Sequence, residues 1–403
     1  MIVVAALVFT NHGMEGLNWT FPYFSGAANV TWPLDWRISP ADYGRVSGMS
    51  VSEYLAYRHR STDVSVPNVV NNYGYVLLVY VARSVFPWMG EGNAIVALQL
   101  LVHVLVVLAT LSLLETTMQR AVFFLCFGVN PVVLHVVTFP FYYFWTVIPP
   151  FFVALAWYRV GRPEVWAWLG AILLFLVVLT RPVTVFVSGL SFVVLYWRTR
   201  SKHALFAGLL FAGLCIVFRG GSVSPVWHTA FVGIGAYENS EGIELSDESA
   251  YAHYREATGV AISTNPVTGN LRGVEERSRY YAFLKGRYLA FLGEHPLRLA
   301  RNAVFNLVQS FGLGFSTKSR ALNVVSGVIG VAIGIAVVWT GQWVWGVGIL
   351  AYSVAFAPYF PPIPAYLFGA YFFTSLILAG LAEKVRVTAF QRVNSTRPEF
   401  RWR

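Results

Sequence analysis

The chain has 403 residues, 56% of them hydrophobic and 12% charged, and a formal net charge of +10. A soluble protein carries about 25% charged residues, so the composition excludes an ordinary water-soluble enzyme, and the long apolar runs mark a polytopic membrane protein. The basic residues gather at the ends of those runs, as the positive-inside bias requires, which argues against nucleic acid as their partner.

In chain order, residues 1–10 are apolar, without a preceding basic region, and too short to span alone, so no cleavable leader is expected. A polar region follows over 12–72, carrying Glu15, Asp35, Asp42, Glu53 and Asp63, with sequons at Asn18 and Asn29 that matter only in a eukaryotic source. Segments 94–114, 121–137, 142–158, 165–180, 183–197, 204–218, 321–340, 343–357 and 364–381 read as spans. Segments 1–10, 73–89 and 297–316 are ambiguous. The last carries Arg298, Arg301, Asn302, Asn306 and Gln309 at helical spacing, more like an interfacial helix than a span. Asn130-Pro131 reads as a kink and Arg181-Pro182 as the turn between two helices. Cys126 and Cys215 fall within apolar segments, so neither a disulfide framework nor a zinc site is implied.

Arg159, Arg162, Arg198, Arg200, Lys202, Lys384, Arg386 and Arg392 mark the cytoplasmic side. Counting from them places Arg181, Pro361-Pro362 and a second polar region, 219–300, on the far side together with 12–72, and leaves 383–403 as a cytoplasmic tail. The count closes only if 73–89 and 297–316 stay at the interface. Nine of the nineteen carboxylates fall between Phe218 and Pro296, and none falls in the middle of an apolar segment. Within that stretch, 247–256 reads as a short helix. The expected fold is a single all-α polytopic membrane domain over 1–403, with about 10–12 membrane-embedded helices and two extracytoplasmic loop regions. Its place is the plasma or inner membrane, or the endoplasmic reticulum in a eukaryote.

Several residues on that far side have the chemistry of a site. Glu15, just past the first apolar stretch, suits a general base towards an acceptor hydroxyl, or is a solvated loop residue. Arg181 stands at the junction of two helices against the positive-inside trend. A guanidinium there suits a lipid-linked phosphate, while the plainer reading is a snorkelling side chain. Trp227, His228 and Tyr237 lie in an apolar, aromatic stretch that hugs the membrane. They suit sugar stacking and phosphate contact, or an aromatic belt with a structural histidine. Glu238 and Asp247 are candidate substrate carboxylates. A divalent cation stays open as the one cofactor, since no carboxylate spacing matches a known metal loop. The aromatic run 139–145 lines a cleft or forms part of the belt.

Together these features resemble a GT-C-type membrane glycosyltransferase of the kind that uses polyprenyl-phosphate sugars. The matches are an early carboxylate, Glu15, in a large first loop; Asn71-Asn-Tyr-Gly-Tyr75 opening an aromatic helix; Asn130-Pro131 before an aromatic turn; Thr180-Arg181-Pro182; Glu294-His-Pro296 before an arginine-bearing helix; and Pro358-Tyr-Phe-Pro361-Pro362 before the last helix. In that family the first-loop catalytic residue is usually Asp; the matching residue here is Glu15. The resemblance implies inverting transfer of a sugar from a polyprenyl-phosphate donor to a glycan, lipid or protein acceptor. Arg181 and His228 would hold the donor phosphate, Glu15 would act on the acceptor, and Trp227, Tyr237, Glu238 and Asp247 would bind substrate. The rival readings are an O-antigen ligase or polymerase, a lipid or polysaccharide transporter, and a membrane scaffold without catalytic activity. Coupled transport is disfavoured because no Asp, Glu or Lys lies mid-span and no internal repeat is visible.

Overall fold

The computed structural model describes Tyr23 and residues 72–158, 161–218, 226–260, 262 and 274–395, and these form helices with no strand among them. The helices are α1 (Tyr73–Val85), α2 (Glu91–Leu113), α3 (Thr117–Phe123, continued by a π-helical turn over Phe124–Gly128), α4 (Pro131–Thr138), α5 (Ile148–Tyr158), α6 (Pro163–Thr180), α7 (Val185–Thr199) and α8 (Lys202–Val217). They continue with α9 (Val226–Ile234), α10 (Asp247–Thr258), α11 (Val274–Glu294), α12 (Pro296–Ser310), α13 (Arg320–Thr340), α14 (Trp343–Ser353) and α15 (Phe368–Ser395). The short helix expected at 247–256 is α10.

Five stretches are long and apolar enough to cross a membrane: Gly92–Leu113, Pro163–Thr180, Pro182–Thr199, Arg320–Thr340 and Pro364–Gln391. A sixth arises if Thr117–Gly128 and Pro131–Thr138, bent by 49°, count as one broken span. The bend falls at Asn130-Pro131, where the Asn130 side chain caps α4 by accepting from the Val132 amide. Of the nine apolar runs, 142–158, 204–218 and 343–357 become shorter helices. In the first, Tyr142–Val147 forms a 3-10 turn, and Pro149 and Pro150 then sit in the opening turn of α5, where missing amide donors cost nothing.

The bundle has two distinguishable ends. At one, Thr116 Oγ1 donates to Glu383 Oε2 (2.9 Å), Glu383 pairs with Arg386 (2.6 Å), Lys384 Nζ reaches the Trp339 carbonyl, and the Arg198 guanidinium lies 5.1 Å from the Trp157 ring. Arg198, Lys384 and Arg386, three of the expected cytoplasmic markers, therefore share this end. At the other end meet Gly74, Thr180, Tyr142, Arg181 and the 358–367 segment.

Helix α1 starts at the Arg181 end. Gly74 packs on Thr180 there, and the short link after Val85 leads into the top of α2, whose Gln99 donates to the Val137 and Phe139 carbonyls. At 13 residues it spans about 20 Å, short of the ~30 Å hydrocarbon core.

Helix α12 wears its polarity inside out. Asn302, Asn306, Gln309 and Ser310 are buried, whereas Leu297, Val304 and Phe305 are exposed. The amide side chains therefore face the protein, and Arg301 is exposed together with the apolar residues. It packs closely on α13, where a Cβ on Gly330 would fall 2.0 Å from the Val308 carbonyl oxygen.

Helices α9 to α11, with the start of α12, build a separate small core of Phe231, Ile243, Ala250, Tyr254, Tyr280, Leu284, Phe291 and Leu299. This capping unit sits on the bundle through Gly233, whose Cβ would lie 2.0 Å from the Tyr359 carbonyl oxygen, and through Phe360, whose ring is 5.7 Å from that of Tyr366.

Candidate functional site

The site is built around Arg181. Pro182 disfavours helical geometry at the residue before it, so α6 ends there and Arg181 takes an extended conformation (φ −148°). Its side chain leaves the helix axis and enters a group of tyrosines. The guanidinium lies 4.8 Å from the Tyr142 ring, 5.4 Å from Tyr143 and 4.8 Å from Tyr366. A desolvated cation–π contact is worth ~2 kcal/mol or more, so three of them fix the group firmly. Behind this box stand Tyr75 and Tyr23, with ring centroids 6.0 and 5.9 Å from Tyr142. Asn72 Nδ2 donates to the Tyr23 hydroxyl (3.2 Å). The Tyr75 hydroxyl is buried without a hydrogen-bond partner among the described residues.

Among the described residues no carboxylate pairs with Arg181; its electrostatic neighbours are Tyr142, Tyr143 and Tyr366. Aromatic faces supply attraction but no neutralising charge. A guanidinium presents rigid, planar donors whose geometry matches phosphate or carboxylate oxygens.

The structure places His228 and Asp247 elsewhere, in the capping unit. His228 Nε2 lies 3.0 Å from Asp247 Oδ1, and its Nδ1 lies 2.7 Å from the Tyr280 hydroxyl. Both ring nitrogens are thus hydrogen-bonded within the capping unit, where His228 links α9, α10 and α11. The hydrogen bond from His228 holds the Asp247 carboxyl below its ordinary range, against the opposing effect of burial. Burial pushes the Tyr280 hydroxyl well above the usual tyrosine range, so it serves as a neutral donor.

The other expected residues are dispersed. Trp227 lies beside Tyr288 (6.2 Å between centroids), with the Lys285 ammonium 5.4 Å from its ring. The Tyr237 hydroxyl donates to Asn306 Oδ1 (2.7 Å), and Asn306 Nδ2 donates to the Ala357 carbonyl (2.9 Å), so Tyr237 ties the capping unit to α12 and the end of α14. Its hydroxyl is pushed up by burial. Glu238 is exposed beside it. Glu15 lies outside the described residues, as does most of 12–72; Tyr23, from the same region, is packed against the Arg181 box.

Tyr359 connects the two halves. It lies within electrostatic reach of Arg181 and Tyr366 on one side and of Tyr288 on the other. Sequence reasoning singled out the aromatic run that contains Tyr142 and Tyr143 but missed Tyr366 and Tyr280. Tyr280 had a signal, because Tyr280, Leu284 and Phe291 fall on one face of α11. An apolar cavity lined by Phe152, Trp166, Gly170, Leu174 and Phe192 includes none of the candidate residues. No group of three or more metal-ligating side chains occurs among the described residues. Comparison of the chain with protein-family models, curated proteins and solved structures gives no match.

Proposed function

We propose that the protein is a membrane glycosyltransferase that takes a sugar from a polyprenyl-phosphate donor on the extracytoplasmic side, with Arg181 as the ligand of the donor phosphate. The observation that carries this reading is the Arg181 guanidinium, held by three tyrosine rings and unpaired with any described carboxylate. Leaving such a charge uncompensated costs several kcal/mol, and a phosphate provides the missing counter-charge. The bundle's apolar exterior keeps the site within reach of a lipid-borne substrate.

In the transfer, the acceptor oxygen forms a bond to the anomeric carbon as the carbon–oxygen bond to phosphate breaks. The bonding pair leaves with the phosphate, whose growing charge Arg181 stabilises, and the acceptor proton passes to a carboxylate, for which Glu15 is the candidate. Direct displacement inverts the anomeric centre. No metal is needed for charge neutralisation in this scheme.

The test is binding of undecaprenyl phosphate to the full chain in nanodiscs, read by native mass spectrometry. Retention by the wild type and loss in Arg181→Leu supports the reading. Equal retention by both sinks it and favours the scaffold or transporter alternatives. A glycan ligase or polymerase shares the phosphate chemistry and is separated by donor: it consumes a pre-assembled lipid-linked glycan rather than a single lipid-linked sugar.

A further inference from the structure

We propose that the Asp247 face of the capping unit is a saccharide-binding subsite, so that the acceptor is a glycan rather than a lipid or a polypeptide. The naming of this ligand as the acceptor rests on the transferase reading above; the binding itself does not require Arg181.

The subsite is organised from its buried end. Tyr280, only 1% exposed, places its hydroxyl 2.7 Å from His228 Nδ1, and His228 Nε2 in turn lies 3.0 Å from Asp247 Oδ1. The Asp247 side chain is 52% exposed, and its second oxygen, Oδ2, makes no hydrogen bond to the described residues. The result is a carboxylate clamped at one oxygen and open at the other, a fixed acceptor for sugar hydroxyls. A half-buried ring stands beside it: Tyr251 lies 5.9 Å from His228 and 5.6 Å from Tyr280. Trp227, the residue before His228, lies beside Tyr288 and under the Lys285 ammonium, about two turns along α11 from Tyr280.

That combination matches the two faces of a pyranose. Its C–H face packs on the Tyr251 ring and its hydroxyl edge donates to the carboxylate, while the Trp227 ring and the Lys285 ammonium, about two turns along α11, are placed for the next sugar of a chain. The alternatives fit less well. An acyl chain gains nothing from a fixed, exposed carboxylate, and the described residues offer no strand edge for an extended polypeptide to join. The unit also rests on the 358–367 segment, which carries Tyr366 to Arg181, so a bound glycan is held over the donor end of the bundle.

The experiment uses the full chain in fluorescent nanodiscs on a printed array of neutral, anionic and cationic oligosaccharides. The wild type is expected to retain at least one saccharide class. Asp247→Asn and Trp227→Ala should each weaken that binding about tenfold or more, the loss expected for a hydrogen bond to a charged group. Arg181→Leu should leave it unchanged. Thermal melts of the same samples establish that the variants are folded, and Tyr251→Ala provides a second probe if Asp247→Asn is not. The proposal is overturned if the wild type retains no saccharide, or if the folded variants bind as well as it does. In the second case the array only pins three helices together. Failure of the transferase reading shows separately, as undecaprenyl phosphate retained by Arg181→Leu.

Discussion

Gly74 lies directly against Thr180: a Cβ added to Gly74 would sit 2.3 Å from Thr180 Oγ1 and 2.6 Å from the Thr180 amide nitrogen. The backbone of α1 thereby sets the position of the residue immediately before Arg181. Gly74→Ala is expected to push the two helices apart at a cost of about 1–3 kcal/mol, the usual price of overpacking. The same shift should withdraw Arg181 from its box, so undecaprenyl-phosphate binding should fall along with the melting temperature. A melt shifted without loss of binding would separate α1 from the site.

The tyrosine box predicts an order among substitutions. Arg181→Lys keeps the charge but loses the planar group that stacks on Tyr142 and Tyr366, so phosphate binding should fall without vanishing. Tyr366→Phe keeps the ring but loses the hydrogen bond between the Tyr366 hydroxyl and Arg181, so it should weaken binding modestly. Tyr366→Ala removes one of three cation–π contacts and should weaken binding more than Tyr366→Phe does. Titration of undecaprenyl phosphate into nanodisc samples measures the series.

Acid should loosen the capping unit through Asp247. Its folded pKa is depressed, chiefly by the hydrogen bond from His228, below an unfolded value of about 3.9. The stabilisation is therefore fully present above that unfolded value and is lost as pH falls through the folded one. Asp247→Asn is expected to be less stable than the wild type at pH 7, and the difference should close as pH falls through the depressed folded value. Hydrogen exchange across α9, α10 and α11 at neutral and acid pH reports it.

Gly233 makes the seat of the capping unit. A Cβ there would lie 2.0 Å from the Tyr359 carbonyl oxygen and 3.1 Å from Phe360 Cα, both backbone atoms that cannot rotate away. Gly233→Ala should lift the unit off the bundle while leaving its own core of Phe231, Tyr280 and Leu284 intact. Faster proteolysis around 226–235, with an unchanged helical content, is the expected signature.

Asn306 closes a three-way junction, accepting from Tyr237 and donating to the Ala357 carbonyl. Asn306→Leu removes both bonds and strands two buried polar groups, at about 1–3 kcal/mol each. Tyr237→Phe strands only one, so its loss of melting temperature should be the smaller of the two.

Much of this architecture was legible from local signals. Pro182 ends α6 and Asn130-Pro131 bends the chain, because proline acts on its immediate neighbours. The amphipathic pattern of 297–316 was also plain. Which of its faces points inward was not, because the periodicity is the same whether the surroundings are water or hydrocarbon. The Arg181 box was half visible. Thr180-Arg181-Pro182 and the 139–145 aromatic run stand out along the chain, but Tyr366 joins them only through the packing of the segment before α15. His228 was noticed as an isolated histidine; its neighbours Asp247 and Tyr280 arrive from other helices, and their occupation of both ring nitrogens is a fact of tertiary structure.

The inverted faces of α12 also bear on how the protein is made. A helix carrying Arg298, Arg301, Asn302, Asn306 and Gln309 is a poor candidate for insertion on its own, since each such group entering hydrocarbon unpaired is costly. Asn306 finds its partners only in Tyr237 and Ala357. The bond from Asn306 to Ala357 therefore forms only after α13 and α14 have been made, because Ala357 lies beyond both in the chain. Biogenesis runs against chain order at this point, and the capping unit, joined to α12 at Pro296, stays unseated until the C-terminal half of the protein has been synthesised.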